Sequence, residues 1–286
     1  MIKFGPSGFC DDFLKENKST DDMPNWLIHH KLDAYELSFT NGVRLSDETA
    51  ERFGKIFEDS KIEVSVHAPY FINFANPEQI EKSNKYIFDC LDKMKFLKSK
   101  KLVFHPGTQM KMSREEAFEN TYNAIKNLIK LLDEYGYSNF ILCPETMGKH
   151  GQIGNVEEIA KICAIDERII PTLDFGHINS CGLGSLKTEE DFENVFNVLK
   201  KYIGDRFKNV HIHFSKIEYG KKGEIKHLTF EDSVFGPEFA PLANVLKKLN
   251  ITANVICESR GAQTKDAVLM KNIYENGWFL ALCVLI

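Results

Sequence analysis

The chain lacks most of the features that assign a protein quickly. None of its seven cysteines (Cys10, Cys90, Cys143, Cys163, Cys181, Cys257 and Cys283) forms a C-x-x-C pair, and the odd, scattered set does not resemble a disulfide framework. A reducing cytoplasm is the expected setting, with most thiols buried as small apolar groups. The chain does not open with a basic stretch followed by a long apolar one, so no secretory signal is expected. The apolar run Trp278 to Ile286 falls far short of the roughly 20 residues that span a bilayer. This tail, residues 278–286, either packs on the preceding domain or is extraneous to it, and neither a membrane nor an obligate protein partner is expected. Positive charge is also short: the formal net charge of -5 argues against a general nucleic-acid binder, so any DNA contact must rest on a local basic rim. Gly5-Pro6-Ser7-Gly8 is not the Gly-rich phosphate turn of a doubly wound dinucleotide fold.

What is present is enough apolar material for a large core, 43% of 286 residues, arranged in a regular alternation. Short apolar runs at Ile2–Gly5, Ala34–Phe39, Ile62–His67, Leu102–His105, Phe140–Glu145, Ile170–Asp174, Val210–Phe214 and Asn254–Glu258 read as strands. Segments of helical period separate them, at Asp47–Asp59, Pro77–Lys98, Ser113–Tyr135, Val156–Cys163, Glu189–Tyr202, Glu238–Leu249 and Lys265–Tyr274. Nearly continuous apolar strands indicate a parallel sheet covered by helices. Repeated strand-then-helix units without a linker predict an α/β fold, a single (β/α)8 TIM barrel over residues 1–277.

The strand ends carry the chemistry. They read Val66-His67-Ala68-Pro69-Tyr70, Phe104-His105-Pro106-Gly107, Cys143-Pro144-Glu145-Thr146, Leu173-Asp174-Phe175-Gly176-His177, His211-Ile212-His213 and Cys257-Glu258-Ser259. In a barrel these C-terminal ends converge on one face, the face that holds active sites. Any one of these residues alone has a bland explanation as a hydrogen-bonded scaffold or half of an ion pair. Several carboxylates converging without a cation repel one another, so the set reads as a metal site. Nitrogen and oxygen donors in this mixture suit zinc, with manganese or iron as alternatives.

The motifs His67-x-x-Tyr70-x-Ile72-Asn73, Phe104-His105-Pro106-Gly107, Glu145-Thr146, Asp174-x-x-His177, His211 and Glu258 resemble the endonuclease IV family of apurinic/apyrimidinic endonucleases, in the superfamily of xylose-isomerase-like barrels. The resemblance covers nearly the whole chain. It implies that His67, His105 and Glu145 hold one zinc, and that Glu145 bridges to a second held also by Asp174, His211 and Glu258. Glu145 and Glu258 are then the catalytic carboxylates, with two or three Zn2+ per chain. The third zinc of that family is held by the histidine of the strand-six motif, here His177, and by an Asp-x-His pair in the loop after strand seven. That loop reads Gly223-Glu224-Ile225-Lys226-His227, so His227 fits, Ile225 falls in the aspartate's place, and Glu224 is the nearest carboxylate. The N-terminal Gly-x-His of the bacterial members is also missing, which suggests a divergent, archaeal-type branch.

The implied activity is hydrolysis of the phosphodiester at abasic sites in double-stranded DNA, in base excision repair, with the lesion nucleotide flipped out. Tyr70 and Arg44 lie where the family inserts side chains into the duplex. Lys216, Lys221, Lys222 and Lys226, with Lys149, His150 and Arg260, supply the basic rim. The rival reading is a sugar isomerase or epimerase on the same barrel, which needs only one metal at Glu145, Asp174, a strand-seven histidine and Glu258. The discriminator is the pair His67 and His105. A third reading is a metal-holding scaffold that has lost catalysis.

Overall fold

The strand β1 (Ile2–Pro6) pairs in parallel with β8 (Thr252–Cys257), β8 with β7 (Asn209–Phe214), and β7 with β6 (Thr172–Asp174). A second parallel arc runs β2 (Ala34–Ser38), β3 (Glu63–His67), β4 (Lys101–Phe104) and β5 (Ile141–Pro144). Parallel bridges Ser7↔Glu36 and Glu145↔Thr172 join the arcs, closing a (β/α)8 TIM barrel as the strand count predicts. This computed structural model describes residues 1–277, so the apolar tail 278–286 lies outside the described residues. Among the described residues no helix is long and apolar enough to cross a membrane.

Outside the strands lie α1 (Asp11–Glu16), α2 (Met23–His29), α3 (Asp47–Asp59), α4 (Ile80–Leu97), α5 (Arg114–Glu134), α6 (Val156–Cys163), α7 (Phe175–Cys181), α8 (Glu189–Ile203), α9 (Phe239–Lys248) and α10 (Gln263–Asn276). Three features differ from the sequence reading. The segment after β1 holds the short helices α1 and α2, too brief to show a helical period. A further short helix, α7, starts directly after β6 with Asp174 as its cap. The long loop after β7 is an antiparallel hairpin, Lys216–Gly220 with Gly223–Leu228.

Strand alternation sorts the side chains. Tyr35, Val64, Val66, Leu102, Phe104, Leu142, Leu173, Ile212, Phe214 and Val255 pack in the one large core shared with the helices. Their neighbours in sequence face the barrel interior, and these form layers. At the N-terminal end Glu63 lies 2.9 Å from both Lys3 and Lys101 and accepts from Asn254, sealing the barrel floor. Burial opposes the Glu63 charge, but the two lysines win and hold its pKa at about 2. Inside the barrel Glu36, Ser65 and His211 are buried, each two residues before Ser38, His67 and His213 on its strand, and His67, Glu145, Asp174 and His213 come together at the mouth.

The β1–β2 seam depends on a glycine. A Cβ on Gly5 would lie 1.7 Å from the carbonyl oxygen of Ala34, so only a residue without a side chain lets the strands meet. Gly5→Ala should destabilise the fold by about 1–3 kcal/mol through overpacking, read as a lowered unfolding midpoint. An unchanged midpoint would mean that the seam has slack.

Candidate metal centre

The mouth layer brings together donors from six strands. His67 Nε2 and His105 Nε2 each lie 3.1 Å from Glu145 Oε2. The other oxygen, Oε1, lies 3.2 Å from His213 Nδ1 and 3.3 Å from His177 Nδ1. Among the described residues four sets of potential ligand atoms each fall within 4.8 Å, and three of them are at the mouth: His67 with His105 and Glu145; Glu145 with Asp174, His213 and Glu258; and His177 with Glu224 and His227. Glu145 belongs to the first two sets, the position a bridging carboxylate needs.

The structure corrects the strand-seven assignment. The resemblance places His211 beside Asp174 and Glu258, but His213 stands there. The reason is register: Asp174 pairs across the ladder with His213, whereas His211 pairs with Thr172, one layer deeper. His211 instead contacts Glu36 at 2.8 Å, wholly inside the barrel. Both residues of the His-x-His motif face inward because they are two apart on one strand. Only the register, not the motif, separates them by depth.

The third set shows how the departure from Asp-x-His is accommodated. Two residues i and i+2 of a strand share a face, but Glu224 and His227 are three apart. The hairpin register shifts here: Glu218 pairs with Lys226 and Tyr219 with Glu224, leaving Ile225 as an exposed bulge without a partner. The extra residue turns the alternation over, so Glu224 and His227 face the same way. Glu224 Oε2 then lies 3.6 Å from His177 Nε2, and Oε1 lies 3.7 Å from His227 Nε2. Gly148 makes room for this approach, since a Cβ there would lie 2.7 Å from the His177 ring and 2.9 Å from Glu224.

These separations fit shared cations. Two ligands at about 2.1 Å from a tetrahedral ion are about 3.4 Å apart, close to the distances between these donors. Several donors are also aimed by a second contact. His67 Nδ1 donates to the Ala68 carbonyl at 2.8 Å and His177 Nδ1 to the Thr146 carbonyl at 2.9 Å, leaving each Nε2 to face the cluster. His227 Nδ1 is 2.8 Å from Ser215 Oγ. Asp174 Oδ1 caps α7 at the His177 amide, while its buried Oδ2 has no hydrogen-bond partner. An orphaned carboxylate oxygen beside two further carboxylates fits a divalent cation.

Without a cation, protons take its place. Burial opposes charge on His67 and His177, yet Glu145 raises His67 to about 9, and Asp174 with Glu145 raises His177 to about 10. Burial likewise opposes the Glu145 charge, but the neighbouring His213 and His105 hold its carboxyl well below the usual range. Burial pushes Glu258 up.

Of the rim residues, Lys149 lines a cavity of about 400 Å³ over the clusters, together with Tyr70, His105 and Gln152. An adjoining cleft of about 360 Å³ is lined by Lys226 and Arg260 and shares His227 and Glu258 with it. Lys221 and Lys222 are exposed at the hairpin tip, joined to the Lys149–His150 loop through the His150 N–H to Lys222 carbonyl bond. Lys216 is not on the rim: it is buried and ion-paired to Glu238 at 2.6 Å. Tyr70 is half exposed, and its hydroxyl donates to Asn41 on the loop that carries the exposed Arg44. The sequence reading missed Phe71, exposed beside Tyr70 with ring centroids 4.6 Å apart, and the inward-facing Glu36. A lone glutamate inside an apolar strand was the available signal for the latter.

A sequence-family model described as "Xylose isomerase-like TIM barrel" matches residues 25–274. An uncharacterized protein of Methanocaldococcus jannaschii is 35% identical over 96% of this chain and 97% of its own length. The probable endonuclease 4 of Aquifex aeolicus is 31% identical over 63% of this chain and 66% of its own length, so the match spans just under two thirds of that relative. The probable endonuclease 4 of Mycoplasma mobile is 30% identical over 72% of this chain and 76% of its own. Among solved structures, endonuclease IV from Thermus thermophilus superposes with a TM-score of 0.68 at 20% identity over 99% of both chains. A D-tagatose 3-epimerase-like protein gives 0.70 at 20% identity over 99% of this chain and 100% of its own, so structural likeness speaks to the barrel alone.

Cation binding must displace the protons on His67 and His177. At about pH 7 zinc uptake should therefore release at least two protons, and affinity should rise with pH until about 9 to 10. The metal-free fold should behave oppositely. Raised histidine pKa values stabilise it fully below about pH 6.5, the unfolded value, and that contribution is lost as pH climbs through 9 to 10. Calorimetry in buffers of different ionisation enthalpy measures the release. Uptake without proton release would contradict the charge balance described.

Proposed function

Because the chain belongs to the xylose isomerase-like TIM barrel family and has endonuclease IV-like relatives, we propose that it is a metal-dependent endonuclease, zinc-loaded in the cytoplasm, that hydrolyses the phosphodiester at abasic sites in double-stranded DNA. One observation carries the reading: the set His67, His105 and Glu145 stands beside the core set and shares Glu145 with it. A single ion suffices to polarise a hydroxy-ketone in a sugar isomerase or epimerase. A second site bridged by a carboxylate serves displacement at phosphorus, where the attacking and leaving oxygens both need charge stabilisation. Zinc suits this donor mixture best, and manganese or iron would use the same atoms.

When bound, the ions lower the pKa of a bound water and neutralise the phosphate oxygens. The chain's own groups do the rest. Glu145 spaces the first two sets, and Glu258, at the edge of the core set, is the carboxylate placed to accept the proton of the attacking water. Lys149, Lys221, Lys222 and Arg260 hold flanking phosphates without reading sequence, which reconciles the acidic total charge with a DNA substrate. Tyr70 and Phe71 enter the stack where a base is missing, assisted by Arg44, and the sugar-phosphate is extruded into the cavity. Extrusion is cheapest at an abasic site because no pair is broken.

A nicking assay on an abasic duplex, run beside a ketohexose epimerisation assay, separates the two readings. Cleavage beside the abasic site is expected, and epimerisation without cleavage would sink the nuclease. Glu145→Gln should lower cleavage by on the order of 100-fold or more, since a neutral amide is a poor bridge. Near-normal turnover in the metal-saturated variant would remove Glu145 from the mechanism.

The hairpin tip gives a separate test. Replacing Lys221 and Lys222 with Ala should weaken duplex binding and flatten its dependence on salt by about one unit of log-log slope for each phosphate left without its lysine. Metal content should stay unchanged. An unaltered slope would leave these lysines as solvated surface.

A further inference from the structure

Beneath the mouth layer, Glu36 and His211 form a buried pair that the catalytic reading does not use, and Glu36 reaches up to His213 of the core set. All three are fully buried, and Glu36 is a charge placed inside a barrel where an ion without partners is very costly. It is held by donors. Ser65 donates its hydroxyl to Glu36 Oε2 at 2.8 Å, and His211 Nε2 reaches the same oxygen at 2.8 Å. His213 Nε2 lies 2.9 Å from Oε1, a close charge contact outside hydrogen-bond geometry, and neither atom has a hydrogen-bond partner.

We propose that Glu36 is a positioning residue: it holds the Nε2–H of His213, and so fixes the ring with its Nδ1 lone pair aimed at the core metal set. The tautomer decides this. A neutral imidazole has one N–H and one lone pair, on different nitrogens. His213 Nδ1 lies 3.2 Å from Glu145 and 3.6 Å from Glu258, so the nitrogen that ligates is Nδ1 and the proton is on Nε2. Buried from solvent, that proton needs an acceptor, and Glu36 Oε1 is the one facing it at 2.9 Å. The carboxylate also raises the basicity of the ligating nitrogen. His67 and His177 use backbone carbonyls for the same purpose, whereas the deeper His213 has a carboxylate. His211 and Ser65 in turn hold Glu36, which gives the displaced histidine of the motif a role in support rather than ligation.

The three residues could instead be read as ligands of a separate buried ion, since their donor atoms also fall within 4.8 Å of one another. Ser65 and His211 both already meet Glu36 Oε2, and the other ring nitrogen of His213 belongs to the core set, so the group is read as support for that set.

The inference rests on the metal-dependent reading above, and its test keeps the two apart. Zinc affinity is measured by chelator competition, and the core site is followed by the ligand-field absorption of Co2+, for the full chain, Glu36→Gln and Ser65→Ala. Glu36→Gln should weaken the core site by on the order of 10–100-fold and alter the Co2+ spectrum. The site at His177, Glu224 and His227 should keep its affinity, and the ion count at saturation should not change. Ser65→Ala should give a smaller loss at the same site, and it decides the matter if Glu36→Gln does not fold. Wild-type affinity and spectrum in the folded variants would overturn the proposal, even if their unfolding midpoints fall. One ion fewer in saturated Glu36→Gln would overturn it too, by making Glu36 a ligand. If the unaltered chain binds no ion at the core set, the metal-dependent reading falls and this inference with it.

Discussion

Glu145, Asp174 and Glu258 converge at the barrel mouth with Glu36 one layer below, and carboxylates this close do not stay ionised together without positive charge among them. The rest of the structure is arranged around that constraint. The strand alternation that sends Leu173, Ile212 and Val255 outward to the helices sends Asp174, His213 and Glu258, just beyond β8, inward. Among the imidazoles interleaved with the acids, the neighbouring carboxylates raise His67 and His177, and the neighbouring histidines hold Glu145 low. A cation bound there would replace the protons on His67 and His177 and keep the same carboxylates ionised. At the opposite end, Glu63 between Lys3 and Lys101 balances its own charge and needs no ion. One end of the barrel is therefore structural and the other chemical.

Much of this was legible in the sequence, and the failures are instructive. All the barrel strands were readable because each is a short apolar run bounded by polar turns. His67, His105, Glu145, Asp174 and Glu258 were readable because a strand end in a barrel has only one place to go. The choice between His211 and His213 was not readable. Both face inward, and their difference in depth is set by pairing with β6, a long-range fact absent from any local pattern. The hairpin after β7 was missed because its bulge at Ile225 breaks the two-residue alternation. That same bulge brings Glu224 to the third set, where spacing alone would have placed it on the wrong face. Glu36 went unremarked because a single acid within an apolar strand looks like an edge residue until its burial is known.

The barrel and the core set of four ligands do not distinguish phosphodiester hydrolysis from sugar isomerisation. The likeness at TM-scores of 0.68 and 0.70 to an endonuclease IV and to an epimerase-like protein makes the same point from outside the chain. What distinguishes them is added to that core from two directions. β3 and β4 contribute His67 and His105 on one side, and α7 with the bulged hairpin contributes His177, Glu224 and His227 on the other. Each addition has its own supporting contacts, which aim its ring nitrogens. Lys149, Lys221, Lys222 and Arg260 and the exposed Tyr70 and Phe71 lie around the opening.

The central claim is the number and place of the ions. Diffraction from zinc-loaded crystals, with anomalous maps on both sides of the zinc edge, measures it directly. The account predicts separate peaks for the three ligand sets, two of them bridged by Glu145 and the third bound by Glu224 with His177 and His227. A single peak among Glu145, Asp174, His213 and Glu258, with Glu224 turned to solvent, would contradict it and return the chain to isomerase-like chemistry.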